Sequence, residues 1–85
     1  MNENDDYPQR VPLKVVGDNG EALRSALDTT LARHLNSGTL IDMAERESTQ
    51  GSYIALTATF TAESREQLVA IYAELREHEA VRFLL

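Results

Sequence analysis

The chain has no cysteine among its 85 residues, so no disulfide framework and no thiolate metal site can supplement its core. Nor does any apolar run approach the roughly 20 residues of a transmembrane helix. The start, "MNENDDYPQR", lacks the basic residues and apolar centre of a signal peptide. These absences predict a cytoplasmic protein with no membrane partner. Cations are scarce as well, with eight Lys plus Arg against fourteen Asp plus Glu and a formal charge of -6. Nucleic-acid binding draws its sequence-independent affinity from phosphate neutralisation, and an acidic chain without a basic block is a poor candidate for it. The acidity fits solubility or the attraction of a basic partner.

Motifs of catalysis are missing too. No serine lies in a GxSxG elbow, and no nucleophile has a visible base and orienting partner. His34 and His78 fall near the ends of two different helices without HExxH or clustered spacing, so no metal site is expected. No other cofactor is implied. The sequence therefore points away from an enzyme.

What is present is alternation and periodicity. Residues 1–7, rich in Asn, Glu and Asp, read as a flexible acidic tail, and 8–85 as a single domain. "VPLKVVG" reads as a strand with Leu13 and Val15 on one face, Pro12 falling at or before its first residue. "GEALRSALDTTLARHL" carries an apolar stripe from Ala22 to Leu35 at helical spacing. Asn36-Ser37-Gly38 should end that helix through a left-handed residue. "TLIDMAERES" reads as a charged edge strand that buries Ile41 and Met43. After a turn at "TQG", "SYIALTATFTA" alternates Ile54, Leu56, Ala58 and Phe60 with a threonine-rich face, the pattern of a sheet covered on one side only. Ser64 and Gln67 form a capping box. It opens a helix that buries Leu68, Ile71, Tyr72 and Leu75 and ends near His78. "AVRFLL" closes the chain as a strand with Val81, Phe83 and Leu85 on one face.

The order β-α-β-β-α-β with right-handed crossovers predicts an α+β, ferredoxin-like sandwich. It has a four-stranded antiparallel sheet of order 4-1-3-2, with two helices on one face.

Three surfaces are candidates for function. The turn Gly17-Asp18-Asn19-Gly20, with Leu23 behind it, allows close backbone approach and presents a helix N-terminus to a ligand. Against this, it lacks a Walker A lysine and a full GxGxxG, and Asp18 and Glu21 would repel an anion. The structural alternative is a hinge in which the glycines permit the turn and Asp18 or Asn19 caps the helix. The second surface is the open sheet face, with Tyr53, Thr57 and Thr59 beside Lys14, Val16 and Ala55. It offers one aromatic, too few to stack bases, and suits protein contact or self-association. The third is the last strand, where Arg82, Phe83 and Leu84 form an edge able to pair with a strand of a partner or a second copy.

Several short motifs resemble the YbeD-like family of small bacterial proteins. They are Tyr7-Pro8, Lys14-Val15-Val16-Gly17, the hairpin from Ser48 to Tyr53, Thr61-Ala62, Ser64 to Leu68, Ile71 to Leu75 and Val81 to Leu85. They span nearly everything after the tail. Tyr7 stands where the family pattern has phenylalanine, and the stretch from Gly38 to Glu47 is more acidic than that pattern. The resemblance implies an ACT-like, ferredoxin-type fold and no known activity. Asp18, Gly20 and Leu23 also resemble the first strand-to-helix turn of ACT regulatory domains, with Asn19 in place of the usual proline. That likeness implies amino-acid or metabolite binding between two copies. Two functions are thus expected: a non-enzymatic regulatory or adaptor module acting by protein contact, or an ACT-like sensor.

Overall fold

The computed structural model describes residues 6–85. Its elements are β1 (Gln9–Asp18), α1 (Glu21–His34), β2 (Asp42–Glu47), β3 (Tyr53–Ala62), α2 (Arg65–Arg76) and β4 (Val81–Leu84). All strand pairs are antiparallel and the sheet order is β2-β3-β1-β4, the expected 4-1-3-2 read from the other edge. The two helices pack together on one face, chiefly over β1, β3 and β4. Between the layers lie Leu13 and Val15 of β1, Leu23, Leu27 and Leu31 of α1, Ile54 to Phe60 on alternate positions of β3, and Ile71 and Leu75 of α2. Each fully buried Leu, Ile, Val or Phe contributes about 1.5–3 kcal/mol relative to exposure, so this cluster is the main source of stability.

Of the tail expected over 1–7, residues 1–5 lie outside the described ones, and Tyr7 packs partly buried against the core. Strand β1 starts earlier than its sequence suggested, and Pro12 is its fourth residue. The reason is local. Lys14 and Leu85 exchange N–H and C=O hydrogen bonds at 3.3 and 2.9 Å. By alternation, the N–H position of residue 12 faces the same side, beyond the reach of β4. There β1 is an edge, and a missing donor costs nothing.

Helix α1 begins at Gly20 with no side-chain cap, so neither Asp18 nor Asn19 caps it. At the other end no left-handed residue appears; among the described residues only Gly51 lies in that region. Leu35 turns extended while its N–H still bonds to the carbonyl of Leu31, and its buried side chain fixes that exit. Helix α2 has the predicted cap, with the Gln67 N–H donating to Ser64 Oγ at 3.1 Å. Gln67 reaches back one residue further than a standard box: its Oε1 accepts from the Glu63 N–H at 2.8 Å. Its Nε2 donates to the His34 carbonyl at 3.0 Å and so satisfies the end of α1.

Two expectations fail, one about burial in β2 and one that puts Val81 on the same face of β4 as Phe83 and Leu85. Ile41 and Met43 are 37% and 50% exposed, because a groove separates them from α1. In β4, Val81 and Leu84 face the core while Phe83 is 63% exposed. The pairing explains it: Val15 faces Leu84 and Val16 faces Phe83, but Gly17 faces Val81, leaving Arg82 as the extra residue of a bulge.

Candidate functional site

The first half of the strand-to-helix turn is filled by the protein's own groups. A Cβ on Gly17 would overlap the carbonyl oxygen of Ala80 and touch Leu23, so the close approach that glycine permits is made by the backbone entering β4. The Asp18 carboxylate accepts from Arg82 Nε at 3.0 Å. Asn19 Nδ2 donates to Glu47 Oε1 at 3.1 Å and to the Gly51 carbonyl at 3.0 Å, which ties the turn to the β2–β3 hairpin. Leu23 is fully buried. Gly20 has open space around it and an extended backbone that any residue adopts. Of the five residues singled out here, Gly20 alone meets open space at its Cβ position, while its carbonyl accepts from Arg24 Nη1 at 3.3 Å.

The open sheet face is different in kind. Strand register sets its side chains in rows across all four strands. One row runs Phe83, Val16, Ala55, Arg46; the next runs Leu85, Lys14, Thr57, Ala44; a third sets Pro12, Thr59 and Asp42 side by side. Phe83, Leu85 and Tyr53 are large and exposed, at 63%, 68% and 46%. A hollow of about 220 Å³ lies over Val16 and Ala55 between Tyr53 and Arg46. Arg82 also belongs to this face, because it bonds Asp18 and sits 6.0 Å from the centre of the Tyr53 ring. The hydrogen bond to Asp18 and its charge hold the Arg82 guanidinium above its ordinary pKa, so it stays protonated. Tyr53, Thr57, Thr59, Arg82 and Phe83 are therefore gathered on one surface. Leu84 is turned to the core.

At the β4 edge, alternation from Leu85 directs the Phe83 N–H inward to β1 and the Leu84 N–H outward. The free edge is only four residues long. A further groove of about 340 Å³ separates α1 from β2, lined mainly by Leu31, Ala32, Leu35, Ile41 and Met43. It was hidden in the sequence because the alternation of Ile41 and Met43 implied a helix above them.

Between the helices, Glu74 gathers three partners. Thr30 Oγ1 donates to it at 3.0 Å, His34 Nε2 lies 3.0 Å away and Arg33 Nε 3.3 Å. Burial works to raise the Glu74 carboxyl, but the hydrogen bonds from His34 and Thr30 and the charge of Arg33 outweigh it and leave its pKa below the ordinary value. The cluster joins α1 to α2. Among the described residues no three His, Asp or Glu side chains group closely enough to hold a metal ion, and no helix is long and apolar enough to cross a membrane.

Solved structures share this architecture at low sequence identity. The ACT domain from GTP pyrophosphokinase of Chlorobium tepidum matches with a TM-score of 0.68 at 10% identity, covering 89% of this chain and 94% of that one. The C-terminal domain of the MgtC protein from Mycobacterium tuberculosis matches at 0.67 and 15% identity, covering 100% and 88%. The fold is thus ACT-like. Among sequences, a UPF0250 protein of Chromobacterium violaceum is 36% identical over 80 residues, spanning 94% of this chain and 90% of its own length. One of Leptothrix cholodnii is 35% identical over 80 residues, spanning 94% and 88%. The family model described as "Protein of unknown function (DUF493)" matches residues 3–85. With nearly its whole length matched, the chain belongs to this YbeD-like bacterial family.

Proposed function

We propose that the chain is a non-enzymatic regulatory or adaptor module acting by protein contact, and that its open sheet face makes the contact. The observation that carries this reading is the row Phe83–Val16–Ala55 with its neighbours Leu85 and Tyr53, which keeps large apolar side chains in water while two helices cover the other face. Scattered apolar groups are ordinary on a surface, but groups aligned in register across neighbouring strands are not scattered. At the turn Gly17–Leu23, by contrast, Gly17 packs against Ala80 and the side chains of Asp18 and Asn19 bond within the protein, which supports a role as hinge and brace.

The test begins with capture by the immobilised chain from a bacterial lysate, followed by reconstitution with the purified partner. Phe83→Ser together with Val16→Ser should abolish binding without unfolding the chain. A substitution in the α1–β2 groove, Met43→Ser, should leave binding intact. The reverse pattern would overturn the reading.

A further inference from the structure

We infer that the open sheet face receives an acidic amphipathic helix of a partner protein, seated on the apolar row and selected by Lys14 and Arg46. This rests on the contact surface proposed above and adds the partner's chemistry.

Charge is divided unevenly over the molecule. Side chains of the open face include four cations, Arg10, Lys14, Arg46 and Arg82, against two anions, Asp18 and Asp42, while Glu47 at the rim of the hollow accepts from Asn19. The remaining four cations of the chain stand against twelve anions. On the face itself, Arg10 is paired with Asp42 and Arg82 with Asp18. Lys14 and Arg46 are left as cations with no ion pair among the described residues, on the surface that also exposes Phe83 and Leu85.

Their placement fits a helix. Lys14 and Arg46 stand two strands and one row apart, roughly 12 Å by strand spacing and rise. That is about the separation of helix positions i and i+8 at 1.5 Å per residue. Between them lie the short side chains of Ala55 and Thr57, which form a low floor.

Other occupants fit less well. A second copy laid face to face would set the unpaired cations of both chains against each other, where like charges disfavour association. The hollow of about 220 Å³ is smaller than the roughly 300 Å³ at which small-molecule pockets begin, and holds an apolar side chain better than a metabolite. Two unpaired cations would neutralise too few phosphates for a nucleic acid strand.

The test uses two synthetic peptides of about 18 residues, roughly five helical turns, with the same Leu/Ala face. One carries Glu on its polar face and the other Lys. Each is titrated into the isotope-labelled chain while backbone amide shifts are followed. The Glu peptide should shift amides of Lys14, Val16, Ala55 and Phe83, and bind about tenfold more tightly than the Lys peptide, the combined effect of two exposed charge contacts. The double variant Lys14→Glu/Arg46→Glu, altered only at exposed side chains without ion pairs, should keep its thermal midpoint and reverse the preference. Equal binding of both peptides to the open face would overturn the charge selection and leave the contact surface standing. Shifts confined to the α1–β2 groove, or none from the Glu peptide, would overturn the inference, and the reconstituted-partner experiment would then decide the contact surface separately.

Discussion

Gly17 and Ala80 meet where the sheet changes register: a methyl group on Gly17 would overlap the Ala80 carbonyl oxygen. That oxygen belongs to the backbone leading into the β4 bulge and has no flexible side chain to move aside. Gly17→Ala should therefore destabilise by about 1–3 kcal/mol, the range of overpacked sites. In a domain this small that lowers the thermal midpoint by roughly 4–8 °C per kcal/mol. Gly20→Ala, placed in open space with extended backbone, should stay within about 0.5 kcal/mol of wild type. Calorimetry on the two variants checks both.

Thr30 is fully buried and donates to Glu74, a charged acceptor, at 3.0 Å. Thr30→Val keeps the shape and removes the donor, so it should cost about 1.5–3 kcal/mol. The same cluster gives a pH dependence. The folded-state pKa of Glu74 is depressed below its ordinary 4.5, so its contribution to stability is complete above about that pH. It is lost as pH falls further, through the folded-state value. Denaturant titrations at neutral pH and below pH 4.5 should show this acid loss in wild type and a smaller one in Glu74→Gln.

The bulge parts Val81 from Phe83 and Leu85, which simple alternation puts on one face of β4. Leu84 packs on the core opposite Val15, while Phe83 stands in water opposite Val16. Leu84→Ala should cost about 1–2 kcal/mol, less than a fully buried leucine because its burial is partial. Phe83→Ala should be close to neutral for folding, within about 0.5 kcal/mol. Urea denaturation of the two variants is enough to separate them.

With Gly17 packed against Ala80 and Asp18 and Asn19 bonded within the protein, millimolar amino acids and small carboxylates should leave the thermal midpoint unmoved. A ligand at 100 times its dissociation constant would add about 2.7 kcal/mol, a shift of many degrees here. A reproducible rise that Gly20→Val removes would turn the hinge into a binding site.

The sandwich was legible in the sequence because local and long-range signals agree. Ile54, Leu56, Ala58 and Phe60 alternate against threonine, and Leu23, Leu27 and Leu31 repeat at helical spacing, so each element shows which side it buries. Burial of Ile41 and Met43 was misread because alternation marks a face without revealing whether a helix reaches it. The β4 face was misread because one inserted residue, Arg82, inverts every position on one side of it. Tyr53, Thr57 and Thr59 could be placed on the open face from β3 alone. The convergence of Lys14 and Arg46 there could not, since it depends on the register of three strands. An overall charge of -6 suggested a basic partner and concealed a surface of opposite sign.

The most direct measurement is an amide hydrogen-exchange footprint of the chain alone and bound to its reconstituted partner. The account predicts slowed exchange concentrated in β1, β3 and β4 around Val16, Ala55 and Phe83, with α1 and α2 unchanged. Protection confined to the helices or to the groove between α1 and β2 would contradict it.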